Sequence, residues 1–200
     1  CEPGFTAQAG VCVGTISAQV DLELIRIDRD PIVLGPKGLA DWRTAIDEPG
    51  EIIVAGDHVS VDYYQNPEAF KENKIQESDR IWHRTGDVGR RDNKGRLWLV
   101  GRVHNAIRRN GALLFPVGPE MRLKRIPGIQ NAAYIGLPHP ELQEQACVVW
   151  TPEADTDPEA VEQAITKAFL EKDLILDQLI QIEKIPLDPR HNSKVDYTAL

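Results

Sequence analysis

Short apolar runs, each closed by glycine, proline, asparagine or aspartate, fill the first hundred residues, and none is long enough to bury one face of a helix. QVDLELIRI, residues 19–27, alternates through Val20, Leu22 and Leu24 and, after Ile25, ends at Ile27. That is the period of a half-buried strand. GEIIVAG (50–56) is an apolar run with glycine at both ends, and RLWLVGR (96–102) is another. DNKG (92–95) lies between two strand-like stretches and predicts a hairpin turn with Gly95 at positive φ. Residues 28–49 hold three prolines and little periodicity, and read as a long loop. An antiparallel sheet or partial barrel is the expectation for this half.

The second half changes character. AIRRNGALLF predicts a hairpin with Asn110-Gly111 at its turn, a strong short-range hairpin signal. GPEMRLKRI looks helical; NAAYIGL, QACVVWT and LIQIEKI look like strands. DPEAVEQAITKAFLEKD is the clearest helix, with Asp157 placed as its N-cap and Pro158 at its first position. Ala160, Val161, Ala164, Ile165, Ala168 and Phe169 mark its apolar face. The fold class expected is therefore α+β: a β-barrel-like antiparallel subdomain over 1–103, then a small α+β domain over 104–200. Internal repeats and low-complexity tracts are absent.

Charge distribution narrows the function classes. The net charge is −8, which argues against a general nucleic-acid binder. Yet between Arg84 and Arg109 there are eight basic residues and two acidic ones. Such a cluster is either a solvated hairpin face or a site for a small anion such as a nucleotide. Cys1, Cys12 and Cys147 show no metal spacing and no disulfide framework, so a reducing, cytoplasmic setting is expected. Cys12 and Cys147 read as packing residues. No apolar run of about 18 residues occurs, so no membrane span is expected. The chain begins at Cys1 and reads as a piece of a longer protein.

Familiar catalytic signatures are missing. The sequence has no G-x-x-x-x-G-K-[ST], no G-x-G-x-x-G, no G-x-S-x-G and no paired histidines that would hold a metal. LGPKGL (34–39) lacks the hydroxyl residues of a phosphate loop. The residues alone offer a basic, glycine-rich region around Asp87 and no complete active site.

Four segments in order carry a resemblance: GEIIVAGDHVSVDYYQNPEAF, WHRTGDVGRRDNKGRLWLVGR, AIRRNGALLFPVGPE and IPLDPRHNSKVDYTAL. Together they resemble the acyl-adenylate-forming superfamily, which includes acyl-CoA synthetases, adenylation domains of peptide synthetases and beetle luciferases. The likeness runs from about Val11 to the end and corresponds to the last barrel subdomain of the large domain plus the whole small domain. It implies an AMP-forming ligase acting on a fatty or other carboxylic acid, with ATP, Mg²⁺ and CoA as cofactors of the parent. The partner it implies is the rest of the parent's N-terminal domain, which would carry the phosphate loop and acyl pocket.

The resemblance also implies roles. Asp87 of TGD takes the place of the carboxylate that accepts the ribose hydroxyls, and Arg102 that of an arginine reaching the nucleotide. His104 falls at the hinge, where the family usually has Asp or Lys. Arg108 stands where many members carry Lys, and Gly111 where the backbone approaches a pantetheine arm. Lys194 matches the catalytic lysine that contacts the acyl carboxylate and α-phosphate, with Ser193 in place of the usual Gly. Leu113 and Gly118 replace the family's frequent Arg and Glu. Glu120 is kept and reads equally as a solvated helix residue. The DRDPIV loop, WHR before TGD and RHNSK also resemble the β-lactone synthetases of olefin biosynthesis, which need no CoA. A non-catalytic module that kept the fold is the remaining alternative.

Overall fold

The computed structural model describes residues 10–187, 195–197 and 199–200. They divide into two compact units, residues 10–104 and 105–200.

The first unit holds strands β1 (Val11–Thr15), β2 (Asp21–Ile25) and β3 (Gly50–Ala55), helix α1 (Pro67–Asn73), and strands β4 (Lys74–Glu77), β5 (Arg80–Arg91) and β6 (Arg96–Arg102). They form one antiparallel sheet in the order β1-β6-β5-β3-β2, with β4 also paired to β5, curled as a half-barrel. RLWLVGR is β6 from end to end. The alternation of β2 decides which face each side chain serves. Ile25 joins Ile53, Ile75 and Trp82 on one side, while Leu24 joins Ile52 and Leu97 on the other.

Residues 28–49 are more than a loop. They make a 3-10 turn at Gly38–Asp41 and a bridge from Arg43 to Ile25. Ile32 and the fully buried Leu39 insert into the Ile25 cluster, with Leu34 and Trp42 packed against it. The stretch is a lid on one face of the sheet, held by apolar anchors rather than by regular hydrogen bonding.

The second unit holds β7 (Ile107–Arg109), β8 (Ala112–Leu114), α2 (Val117–Leu123), β9 (Ile129–His139), β10 (Gln143–Pro152), α3 (Pro158–Leu170) and β11 (Gln178–Gln181). Its sheet runs β11-β10-β7-β8, and β9 also pairs with β10; only β10 and β11 are parallel, joined across α3. β10 is apolar along most of its length because both its faces are covered. Ala146, Val148 and Trp150 meet α3 in one cluster, and Cys147 and Val149 meet Ile185 in another. Asp157 caps α3 by accepting from the Glu159 N–H, and Pro158 sits in its first turn. The buried stripe of α3 is Val161, Ile165 and Phe169; Ala160 is exposed, so the face is narrower than expected. Among the described residues no helix is long and apolar enough to cross a membrane.

Candidate functional site

Three residues, Thr85, Gly86 and Asp87, leave the ladder that β5 makes with β3. On β3, Glu51 pairs with Val88 and Ile53 with Arg84, so two steps on one strand face four on the other. That surplus is a β-bulge, a device that re-aims a side chain. Gly86 makes it possible: its φ is +69°, where a side chain would be strained. Thr85 Oγ1 donates to the Ile52 carbonyl (2.8 Å) and accepts from the Asp87 N–H (3.1 Å).

The bulge sets Asp87 opposite Arg102 of β6. Arg102 Nε donates to Asp87 Oδ1 at 2.8 Å, and its terminal nitrogen reaches the Thr85 carbonyl at 3.5 Å. The two side chains stay 61% and 38% exposed. An exposed pair of this kind contributes about 0.2–1 kcal/mol and serves poorly as a structural rivet. It does present a carboxylate with spare acceptor capacity and a fork of donors at one spot.

Beneath the bulge lies a pair that reading the sequence missed. Glu51 and Arg84 are 1% and 7% exposed. Arg84 donates to both Glu51 oxygens and to the carbonyls of Asp28 (2.6 Å), Asp30 (2.8 Å) and Glu72 (3.4 Å). Glu51 Oε1 also accepts the Gly86 N–H at 3.3 Å. The signal was available: a glutamate inside the apolar run GEIIVAG must have a charged partner.

The DNKG turn forms as expected, with Gly95 at φ +72°. Asp92 organises it, accepting from the Lys94 and Arg96 N–H groups, Arg96 Nε and the indole of Trp98. Burial alone would raise the Asp92 carboxyl, but these donors, Trp98 foremost, hold it well below the usual carboxylate range. Ion pairs absorb much of the basic cluster: Arg84, Arg90, Arg96, Arg102 and Arg109 each have a carboxylate partner. A cleft of about 520 Å³ elsewhere in this unit, lined among others by Leu22, Arg43, Arg80 and Arg91, includes neither Asp87 nor Arg102.

His104 is exposed in a 3-10 turn at Val103–Asn105, and its carbonyl accepts from Arg29 at 3.4 Å. In the second unit, Asn110 (φ +50°) and Gly111 (φ +77°) make the two-residue turn between β7 and β8. The Asn110 N–H donates to the Leu142 carbonyl (3.0 Å), the Gly111 N–H to Gln143 Oε1 (2.9 Å), and the Arg108 N–H to Glu144 Oε2 (2.6 Å). Arg109 is doubly bonded to Asp177, both contacts at 2.8 Å. The hairpin is thus rigidly tied, yet a Cβ at Gly111 would meet nothing within 4 Å. Arg108 is exposed beside it.

Glu120 departs from the solvated reading. Its Oε1 accepts from the Tyr134 N–H (3.0 Å) and the Tyr197 hydroxyl (2.5 Å), and burial pushes its carboxyl above the usual range. Cys147 is buried, its thiol pushed up to about 11 by burial, which suits packing; Cys12 is half-buried. Lys194 lies outside the described residues. On either side of that stretch, Leu187 bridges to Val195 and the Asp196 N–H donates to the Pro186 carbonyl at 2.9 Å. The structure therefore brings Asp87 and Arg102 together, and Arg108 and Gly111 together. Among the described residues no group of three or more His, Cys, Asp or Glu converges as a metal site.

No protein-family model matches the chain. An olefin β-lactone synthetase of Stenotrophomonas maltophilia is 31% identical over 94% of this chain and 35% of its own length. A 2-hydroxy-7-methoxy-5-methyl-1-naphthoate–CoA ligase of Streptomyces carzinostaticus is 29% identical over 84% of this chain and 29% of its own. The ATP-bound MatB structure from Rhodopseudomonas palustris matches with a TM-score of 0.70 at 23% identity, over 94% of this chain and 34% of that one, and supports the fold. The chain spans about a third of the length of the curated relatives it matches, in their C-terminal part.

Proposed function

Starting from homology with the C-terminal part of olefin β-lactone synthetases and acyl-CoA ligases, we propose that this chain is the C-terminal portion of an ATP-dependent, AMP-forming acid-activating enzyme. In such a parent a carboxylate oxygen attacks the α-phosphorus of ATP, pyrophosphate leaves, and an acyl-adenylate results. The observation that carries the reading is the exposed Asp87–Arg102 pair on a glycine bulge. The Asp87 carboxylate accepts hydrogen bonds from the ribose hydroxyls, and Arg102 supplies donors beside it. Lys194 supplies an ammonium where negative charge concentrates as the carboxylate attacks. We assign Mg²⁺ no ligand on this chain. His104 is the joint about which residues 105–200 turn between half-reactions.

For the second step we propose closure of a β-hydroxy acyl-adenylate on itself, the hydroxyl attacking the acyl carbon and AMP leaving. Support comes from the match to olefin β-lactone synthetases over nearly the whole chain. The open hairpin at Gly111 and the CoA-ligase relative favour a second reading, in which a pantetheine arm passes Arg108 and Gly111 to form a thioester. The full-length parent given ATP and a β-hydroxy fatty acid separates them. Lactone and AMP formed without CoA is the expected result; acyl-CoA formed only when CoA is added would favour the second reading. In the same assay Asp87→Ala should weaken ATP use by roughly tenfold to a hundredfold, the worth of a hydrogen bond to a charged group.

A further inference from the structure

We propose that Glu51 and Arg84 are positioning residues that hold Asp87 in its ribose-reading pose; this rests on Asp87 reading the ribose. Asp87 and Arg102 are open to solvent and too weakly coupled to fix themselves. What is fixed is the bulge under them. A bulge frees a backbone N–H from the ladder, and an unpaired buried donor is costly. At Gly86 that N–H goes to Glu51 Oε1, and Glu51 is itself held by both Nε and a terminal nitrogen of Arg84.

The same guanidinium collects the carbonyls of Asp28, Asp30 and Glu72. Strand β3, the lid stretch and the end of α1 converge on one planar group, and the bulge joins them through Glu51. Five rigid N–H donors in a fixed fork suit this task and a lysine ammonium does not.

Stability alone does not explain a buried pair here. Desolvating two charges offsets most of their attraction, and apolar replacements are often as stable. What an apolar pair cannot do is accept the Gly86 N–H and orient three carbonyls. Displacing Gly86 would carry Asp87, its chain neighbour, and with it the partner of Arg102.

The test uses the full-length parent with ATP and with 2′,3′-dideoxy-ATP, comparing kcat/KM for each in the same preparation. The ratio is independent of the folded fraction, so partial misfolding does not mimic the effect. Glu51→Ala, which removes the acceptor of the Gly86 N–H, and Arg84→Lys should each lower the preference for ATP by roughly tenfold or more, by losing on ATP and not on the dideoxy analogue. Adding either to Asp87→Ala should give no further loss of preference, as expected for residues acting through one group. An equal loss on both nucleotides, or an unchanged preference in both variants while Asp87→Ala loses it, would overturn the inference and leave the ribose reading standing. If Asp87→Ala itself keeps the preference, the ribose reading falls, and the inference with it.

Discussion

Two glycines of the second unit differ in what surrounds them. Gly111 has φ +77° and open space where a side chain would go. Gly111→Ala should therefore cost about 1–2 kcal/mol from backbone conformation alone, read as a lower urea midpoint with unchanged slope. Gly128 has φ +87°, and a Cβ there would meet Thr156 at 2.5 Å and Val161 at 2.8 Å. Gly128→Ala should lose more, because crowding adds to the backbone strain. Glu120 supplies a pH signature. Burial raises its carboxyl, so the folded chain binds its proton more tightly than the unfolded chain. Stability from this group is then highest below the ordinary carboxylate range and falls as pH rises through it. Glu120→Gln stays neutral, and its side-chain oxygen still accepts from Tyr134 and Tyr197. Urea midpoints measured across pH 4–7 should fall less steeply in Glu120→Gln than in the parent sequence.

At the level of elements, strands and the long helix were legible because their signals are local. β6 coincides with RLWLVGR, and α3 announces itself by Asp157, Pro158 and the spacing of Val161, Ile165 and Phe169. Asp157→Ala should remove about 1 kcal/mol by leaving the Glu159 N–H without its acceptor, measured as a drop in unfolding midpoint. Helix α1 was invisible to pattern for a physical reason: none of its seven residues is buried, so it carries no apolar stripe. Its existence rests on Asn66, whose side chain accepts the Ala69 N–H, and on Pro67. The 28–49 lid was unreadable because Ile32, Leu34, Leu39 and Trp42 anchor it without period. The candidate site was half legible. The residues of TGD and GR stand out in sequence, but the bulge that joins them is a register shift between strands, and Glu51 and Arg84 lie 33 residues apart.

Across the whole molecule the two units have separate apolar cores: the Ile25 and Leu24 clusters in one, the Trp150 and Val149 clusters in the other. A calorimetric scan of the 200-residue chain should resolve two transitions. Ile165→Ala removes a fully buried side chain from the second core, and should lower that transition by about 2–5 kcal/mol while leaving the other in place. The Arg84 hub has a further, kinetic consequence. Its acceptors sit 12, 33, 54 and 56 residues away along the chain. Closing loops of such length costs entropy before the contacts repay it, so these contacts are expected to form late in folding. Arg84→Lys should therefore leave the refolding limb of a stopped-flow chevron nearly unmoved and raise the unfolding limb. One guanidinium, absent from the barrier to assembly, would set how long the assembled half-barrel survives before it opens.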